Sequence, residues 1–225
     1  MDAMGRFRLA AVEWAADGAG APAAGAVARE LAAGSALRTA VLVEGVSDEV
    51  ALEALAARHG RDLGAEGIAV VPLGGATSIG RFVRLLGPQG LGVGLAGLCD
   101  AGEESHFARA LEQAGLGCDL GRADLEPLGF YVCVADLEEE LIRSLGTDAV
   151  QEVIDAQGDL RAFHVFQKQP AQRDRSVERQ LRRFMGTISG RKSQYARSLT
   201  DALDLDRVPR PLERLFAHLC EAGRS

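Results

Sequence analysis

The segment Thr39-Ala40-Val41-Leu42-Val43-Glu44-Gly45-Val46-Ser47-Asp48 joins an apolar, β-branched run to an acid, a glycine and a helix start. Ala40–Val43 reads as a strand buried on both faces, closed by Glu44-Gly45. Ser47 or Asp48 then caps a helix running to about Arg58. The same alternation recurs downstream. Ile68–Val71 is a second strand, stopped by Pro72, and Gly74-Gly75 turns into a helix over Ile79–Leu86. Val93–Leu98 is a third strand, followed by Cys99-Asp100 and a helix over Glu103–Ala114. Phe130–Val134 and Leu137–Leu145 complete the series as strand and helix. Apolar strands alternating with helices predict an α/β fold, a mostly parallel sheet with helices on both faces. Right-handed crossovers point the strands the same way, so their carboxyl ends form one rim where ligands bind.

From Thr147 onward the pattern is helical, with Val150–Gln157, Arg173–Phe184, Ser193–Leu203 and Leu212–Cys220 as helices. Pro170, Gly190 and Pro209/Pro211 punctuate them. Upstream, Met1–Arg38 is rich in Ala and Gly, with Ala26–Ala33 as a short helix and Gly18–Gly25 as a flexible connection. The expected organisation is an appendage over 1–37, an α/β domain over 38–146 and a helical segment over 147–225.

A chain of 225 residues with 47% hydrophobic and 25% charged content can bury one sizeable core and is not disordered. No apolar run approaches the roughly 20 residues of a membrane helix, and Met1–Ala10 lacks the apolar core of a secretory signal. Cys99, Cys118, Cys133 and Cys220 form no CxxC pair, which suggests reduced thiols in a cytoplasmic protein. The net charge of −7 is unevenly placed. Residues 1–160 hold 11 basic and 25 acidic side chains, whereas residues 161–197 hold 10 and 2. An acidic body with one basic segment suits a cation site beside an anion-contacting surface, or simple attraction between two halves of one fold.

Three of the four predicted strands end in a carboxylate: Glu44, Asp100 and Asp136. Asp48 lies one helical turn past Glu44, and Glu138, Glu139 and Glu140 follow Asp136. Carboxylates gathered on one rim repel unless protonated or bridged by cations, and oxygen-only donors select hard ions such as Mg²⁺, Mn²⁺ or Ca²⁺. Each acid also has a structural reading: Asp48 at a helix N-terminus, and Asp136 with Glu139 as a capping box. His59, His106, His164 and His218 share no ligand spacing. Gly74-Gly75 is either a tight turn or a phosphate cradle, and no GxxxxGK[ST] occurs.

Leu42-Val43-Glu44-Gly45-Val46-Ser47-Asp48 resembles the opening motif of the Toprim domain, and most closely that of the overcoming lysogenisation defect (OLD) nucleases. Val71-Pro72-Leu73-Gly74-Gly75 is similar to their second strand and turn, and Leu98-Cys99-Asp100-Ala101-Gly102 falls where they carry a DxD motif. Gly190-Arg191-Lys192 resembles the tail of their Toprim regions. The resemblance implies a Rossmann-like Toprim sheet that holds divalent metal, Mg²⁺ or Mn²⁺, and acts on phosphodiesters. It puts the metal at Glu44, Asp48, Asp100 and Glu138, with Glu140 as a substitute for the last. It makes Lys192 the catalytic lysine beside Glu44. Gly102 departs from the second Asp of DxD, with Glu103 as a stand-in. Only about 38 residues precede the domain, so the expectation is a Toprim protein without the family's ATPase domain, working with a separate ATPase protein or without one.

The expected function is metal-dependent hydrolysis of nucleic acid, DNA ahead of RNA, by an endonuclease or phosphodiesterase. Arg179, Arg182, Arg183 and Arg191 would contact backbone phosphates, the first three from one helix face. The alternatives are a non-catalytic nucleic-acid or partner-binding module and a nucleotidyl transferase.

Overall fold

A computed structural model describes residues 2–34, 37–186 and 191–222. Two helices come first, α1 (Ala3–Ala15) and α2 (Ala21–Gly34). The α/β part follows as β1 (Thr39–Val43), α3 (Val46–Arg58), β2 (Ile68–Pro72), α4 (Ile79–Leu86), β3 (Gly94–Asp100) and α5 (Glu104–Gln113), then α6 (Arg122–Leu125), β4 (Phe130–Cys133) and α7 (Leu137–Leu145). The rest is helical: α8 (Thr147–Ala156), α9 (Leu160–Gln167), α10 (Val177–Gly186), α11 (Arg191–Ala202) and α12 (Arg210–Ala222).

The four strands form one sheet in the order β2-β1-β3-β4, every pair parallel. β1 is central and buried at every residue. Its side chains alternate as strand geometry dictates: Val41 and Val43 enter the core on one face, Ala40 and Leu42 the core on the other. Gly97 lets β3 lie close, since a Cβ there would meet Leu42 O at 2.5 Å and the Phe130 ring at 3.0 Å.

One core collects Leu52 and Leu55 of α3, Leu141 of α7 and Ile154, Phe163, Phe184 and Tyr195 of the later helices. The expected helical segment over 147–225 is thus continuous with the α/β core. The second core holds Phe7 of α1, Ala28 of α2, Phe82 of α4 and Phe107 of α5. Within residues 2–34, both α1 and α2 therefore contribute side chains to the body of the fold. The predicted flexible stretch Gly18–Gly25 is flexible-looking only in composition, because α2 already starts at Ala21 and buries Ala24 and Gly25. Alanine is the strongest helix former, and it outweighs the few glycines here.

Two short elements were not visible as periodic patterns, α6 and α9. The N-cap of α3 is Gly45, not Ser47 or Asp48; Asp48 is the third helical residue and its carboxylate accepts from Gly45 N–H at 2.8 Å. Pro211 lies in the first turn of α12 and not beyond a helix, where its missing N–H costs nothing. Gly190 lies outside the described residues.

α11 packs along α3, and the two share a direction, since the start of α11 brings the Lys192 charge to bear on Asp48 at the start of α3 while their far ends are joined. The Arg58 guanidinium at the end of α3 donates to Thr200 O at 2.9 Å and Leu203 O at 2.5 Å at the end of α11. Asp48 and Arg58 are ten residues apart, as are Lys192 and Ala202. At about 1.5 Å per residue, clamping the two C-terminal ends sets Lys192 level with Asp48 at the N-terminal ends.

Candidate metal and nucleic-acid site

The chain order makes β1 and β3 neighbours although β2 intervenes in sequence, so crossovers leave in opposite directions and a crevice opens beyond their carboxyl ends. Glu44 follows β1 and Asp100 ends β3, on either side of that crevice. Gly74 and Gly75, at φ +69° and +123°, make the turn after β2, and Gly75 N–H donates to Glu44 O at 3.2 Å. The Gly-Gly turn therefore braces the Glu44 loop, and the Gly75 amide is not free for a phosphate.

Asp136 is the N-cap of α7, with Oδ1 accepting from Glu139 N–H at 2.8 Å. Glu138, in the first turn of α7, is 4% exposed. Its Oε1 meets Lys192 Nζ at 3.1 Å, and its Oε2 is buried with no hydrogen-bond partner among the described residues. Glu140, the substitute for Glu138, is taken up structurally: it accepts from Val134 N–H at 2.8 Å and pairs with Arg143. Of the two carboxylates that follow Gly102, Glu103 pairs with His106 at 3.4 Å and Glu104 with Arg122 at 2.7 Å.

The acids sense one another. Burial foremost, then the charges of Glu44, Asp136, Asp48 and Glu138, push the Asp100 carboxyl up to about 8. Burial, then Glu138, lifts Asp48 to about 7, against its Gly45 hydrogen bond and the Lys192 charge. Glu138 is raised mainly by burial, with Lys192 opposing. Burial lifts the neighbouring Cys99 thiol to about 12, so it is no nucleophile.

Opposite these acids stands a basic wall. A cleft of about 540 Å³ is lined by Asp136, Glu138, Arg175, Arg179, Arg182, Arg183, Gly186 and Lys192. Arg179, Arg182 and Arg183 thus share the face expected from their spacing. Arg175, four residues before Arg179, joins them beyond the sequence expectation. Arg191 is used differently: it pairs with Asp159 at 3.1 Å and its guanidinium lies 5.7 Å from the Phe184 ring centre. That contact, with Tyr195 Oη on Asp159 at 2.7 Å, steadies the start of α11.

The donor set fits a hard divalent cation. It offers carboxylate oxygens only, three of its members are driven towards protonation by burial first and then by one another's charges, and the buried Glu138 Oε2 has no hydrogen-bond partner among the described residues. Among the described residues, no three His, Cys, Asp or Glu groups stand already gathered at ligating positions. Also among them, no helix is long and apolar enough to cross a membrane, and all four cysteines are free thiols.

A family model described as the Toprim domain of overcoming-lysogenization-defect-like proteins matches residues 37–101, a span holding Glu44, Asp48 and Asp100. The C-terminal region of the Xanthomonas campestris pv. campestris OLD protein is similar in structure, with a TM-score of 0.66 and 26% identity over 84% of this chain and 97% of that one. The C-terminal region of the Burkholderia pseudomallei OLD protein gives 0.65 and 20%, over 83% and 98%. No curated protein matches in sequence. Residues 37–101 thus match an OLD-like Toprim domain, and the chain as a whole resembles in structure the C-terminal region of OLD proteins.

Proposed function

We propose that the protein is a divalent-metal-dependent phosphodiesterase that cuts nucleic acid, DNA ahead of RNA. The carrying observation is the cleft in which Asp136, Glu138 and Lys192 face four arginines, so that groups for a cation and groups for a phosphate backbone share one opening. Glu44, Asp48, Asp100 and Glu138 would hold Mg²⁺ or Mn²⁺ through oxygen. Such an ion, when bound, polarises a phosphoryl oxygen and lowers the pKa of water. Lys192 sits on Glu138, which holds its ammonium in place to offset charge as the phosphodiester breaks. Arg179, Arg182 and Arg183 take backbone phosphates, which gives affinity without base choice.

A second reading, a non-catalytic binding module, is favoured by Gly102 alone. A Cβ at that position would meet nothing within 4 Å, so the missing acid is a chemical gap and not a steric one. Incubating supercoiled and linear DNA with Mg²⁺, Mn²⁺ or Ca²⁺, wild type against Glu44→Ala, tests both. Metal-dependent cutting lost in Glu44→Ala supports hydrolysis. Binding without cutting under every ion moves the conclusion to the binding module, and absence of binding removes both.

A further inference from the structure

Asp136 is the rim acid whose oxygens are both engaged. Oδ1 caps α7, and Oδ2 accepts from Arg182 Nε of α10 at 2.6 Å. The pair is lopsided in exposure: the Asp136 side chain is 13% exposed and the Arg182 side chain 44%. The guanidinium therefore opens on the cleft where a phosphate would enter, while the carboxylate is turned inward beside Glu138, whose Oε2 has no hydrogen-bond partner among the described residues. A guanidinium prefers bidentate geometry and binds phosphate as readily as carboxylate.

We propose that Arg182 is a positioning residue that latches Asp136 in the empty cleft and releases its Oδ2 to the cation site when a nucleic-acid phosphate takes the guanidinium. The inference rests on the proposed function. Phosphate binding and cation binding then favour each other through a single side chain, and by linkage the effect is reciprocal. Asp136 keeps its Oδ1 on the α7 cap throughout, so only one oxygen changes partner and no helix has to move. Arg179 and Arg183, in the same cleft but with no carboxylate held among the described residues, supply affinity without this coupling.

The test measures Mn²⁺ affinity by calorimetry with no nucleic acid present, then with a phosphorothioate DNA duplex that resists cutting. In the wild type the duplex should tighten Mn²⁺ binding by roughly 5–150-fold, the usual span of such couplings. Arg182→Ala should bind Mn²⁺ several-fold more tightly without DNA and gain little from adding it. Removing a positive charge anywhere in the cleft helps a cation somewhat, so Arg179→Ala and Arg183→Ala serve as charge-matched controls and should gain clearly less. The Arg182→Ala gain should disappear when combined with Asp136→Asn, a change that keeps a good helix cap. Far-ultraviolet circular dichroism checks that each variant is folded. Equal gains in Arg182→Ala and the two controls, or a gain that survives Asp136→Asn, overturn the latch while leaving the proposed function standing. If the wild type binds neither Mn²⁺ nor duplex, the proposed function falls and the latch with it.

Discussion

Replacing Asp48 by Asn should stabilise the protein in alkali and remove most of its response to divalent cations. Asp48 is raised from 3.8 to about 7, first by burial and then by Glu138. In the unfolded chain it ionises near its ordinary value. Between those two values the folded state holds a proton that the unfolded state has lost, so folding loses stability as pH rises from about 4 to about 7 and nothing further above that. At about 1.4 kcal/mol per unit, a shift of about three units sets a ceiling of roughly 4 kcal/mol. Rearrangement of neighbouring carboxylates and solvent screening absorb part of this, leaving about 2–3 kcal/mol. Asn keeps an oxygen for Gly45 N–H and cannot ionise, so its advantage should grow by that amount between pH 4.5 and 8. Urea unfolding of both proteins at several pH values, without metal, measures it. Adding Mg²⁺ at pH 8 should raise the wild-type midpoint and move Asp48→Asn much less. A stability difference that stays flat with pH would mean the Asp48 charge is well compensated, and the repulsive-rim argument would be wrong.

Glu44→Ala or Asp100→Ala should weaken Mg²⁺ or Mn²⁺ binding in calorimetric titration, whereas Glu112→Ala on α5 should not; unchanged affinity in Glu44→Ala takes that residue out of the site. Lys192→Ala should depress single-turnover cleavage by about 10²–10³-fold with a small effect on binding, while the triple change of Arg179, Arg182 and Arg183 to Ala should weaken binding and flatten its salt dependence. Equal losses of binding and cleavage in Lys192→Ala would make the lysine another phosphate contact. Gly102→Asp, which has room for its side chain, should tighten metal binding; no change in titration would show that position 102 lies outside the donor set. Phe7, fully buried in the second core, should cost about 3–5 kcal/mol when cut to Ala, and a loss below about 1 kcal/mol by urea unfolding would show that α1 adds little to that core.

The strands and the helices between them could be read from the chain because their determinants are local. A β-branched run such as Ala40–Val43 and a stop such as Pro72 act within a few residues, and parallel order follows from crossover handedness. The acids at three strand ends were visible for the same reason: once the strands share a direction, their carboxyl ends share a rim. Which acids remain available on that rim was a tertiary decision. Glu138 and Glu140 are two residues apart on α7, yet one meets Lys192 and holds an idle oxygen while the other is consumed by Val134 N–H and Arg143. The basic residues divide the same way. Arg191 and Lys192 are adjacent, but helix rotation sends the first to Asp159 and the second to Glu138. Lys192 reaches Glu138 because Arg58, more than 130 residues earlier, clamps the far end of α11 to α3. The sequence by itself determined the sheet, its polarity and the presence of an acidic rim and a basic segment, since each is written in local pattern and composition. Only the tertiary structure decided which carboxylate oxygens stay unpaired and which arginines open on the cleft, because ion pairing depends on contacts between residues far apart in the chain.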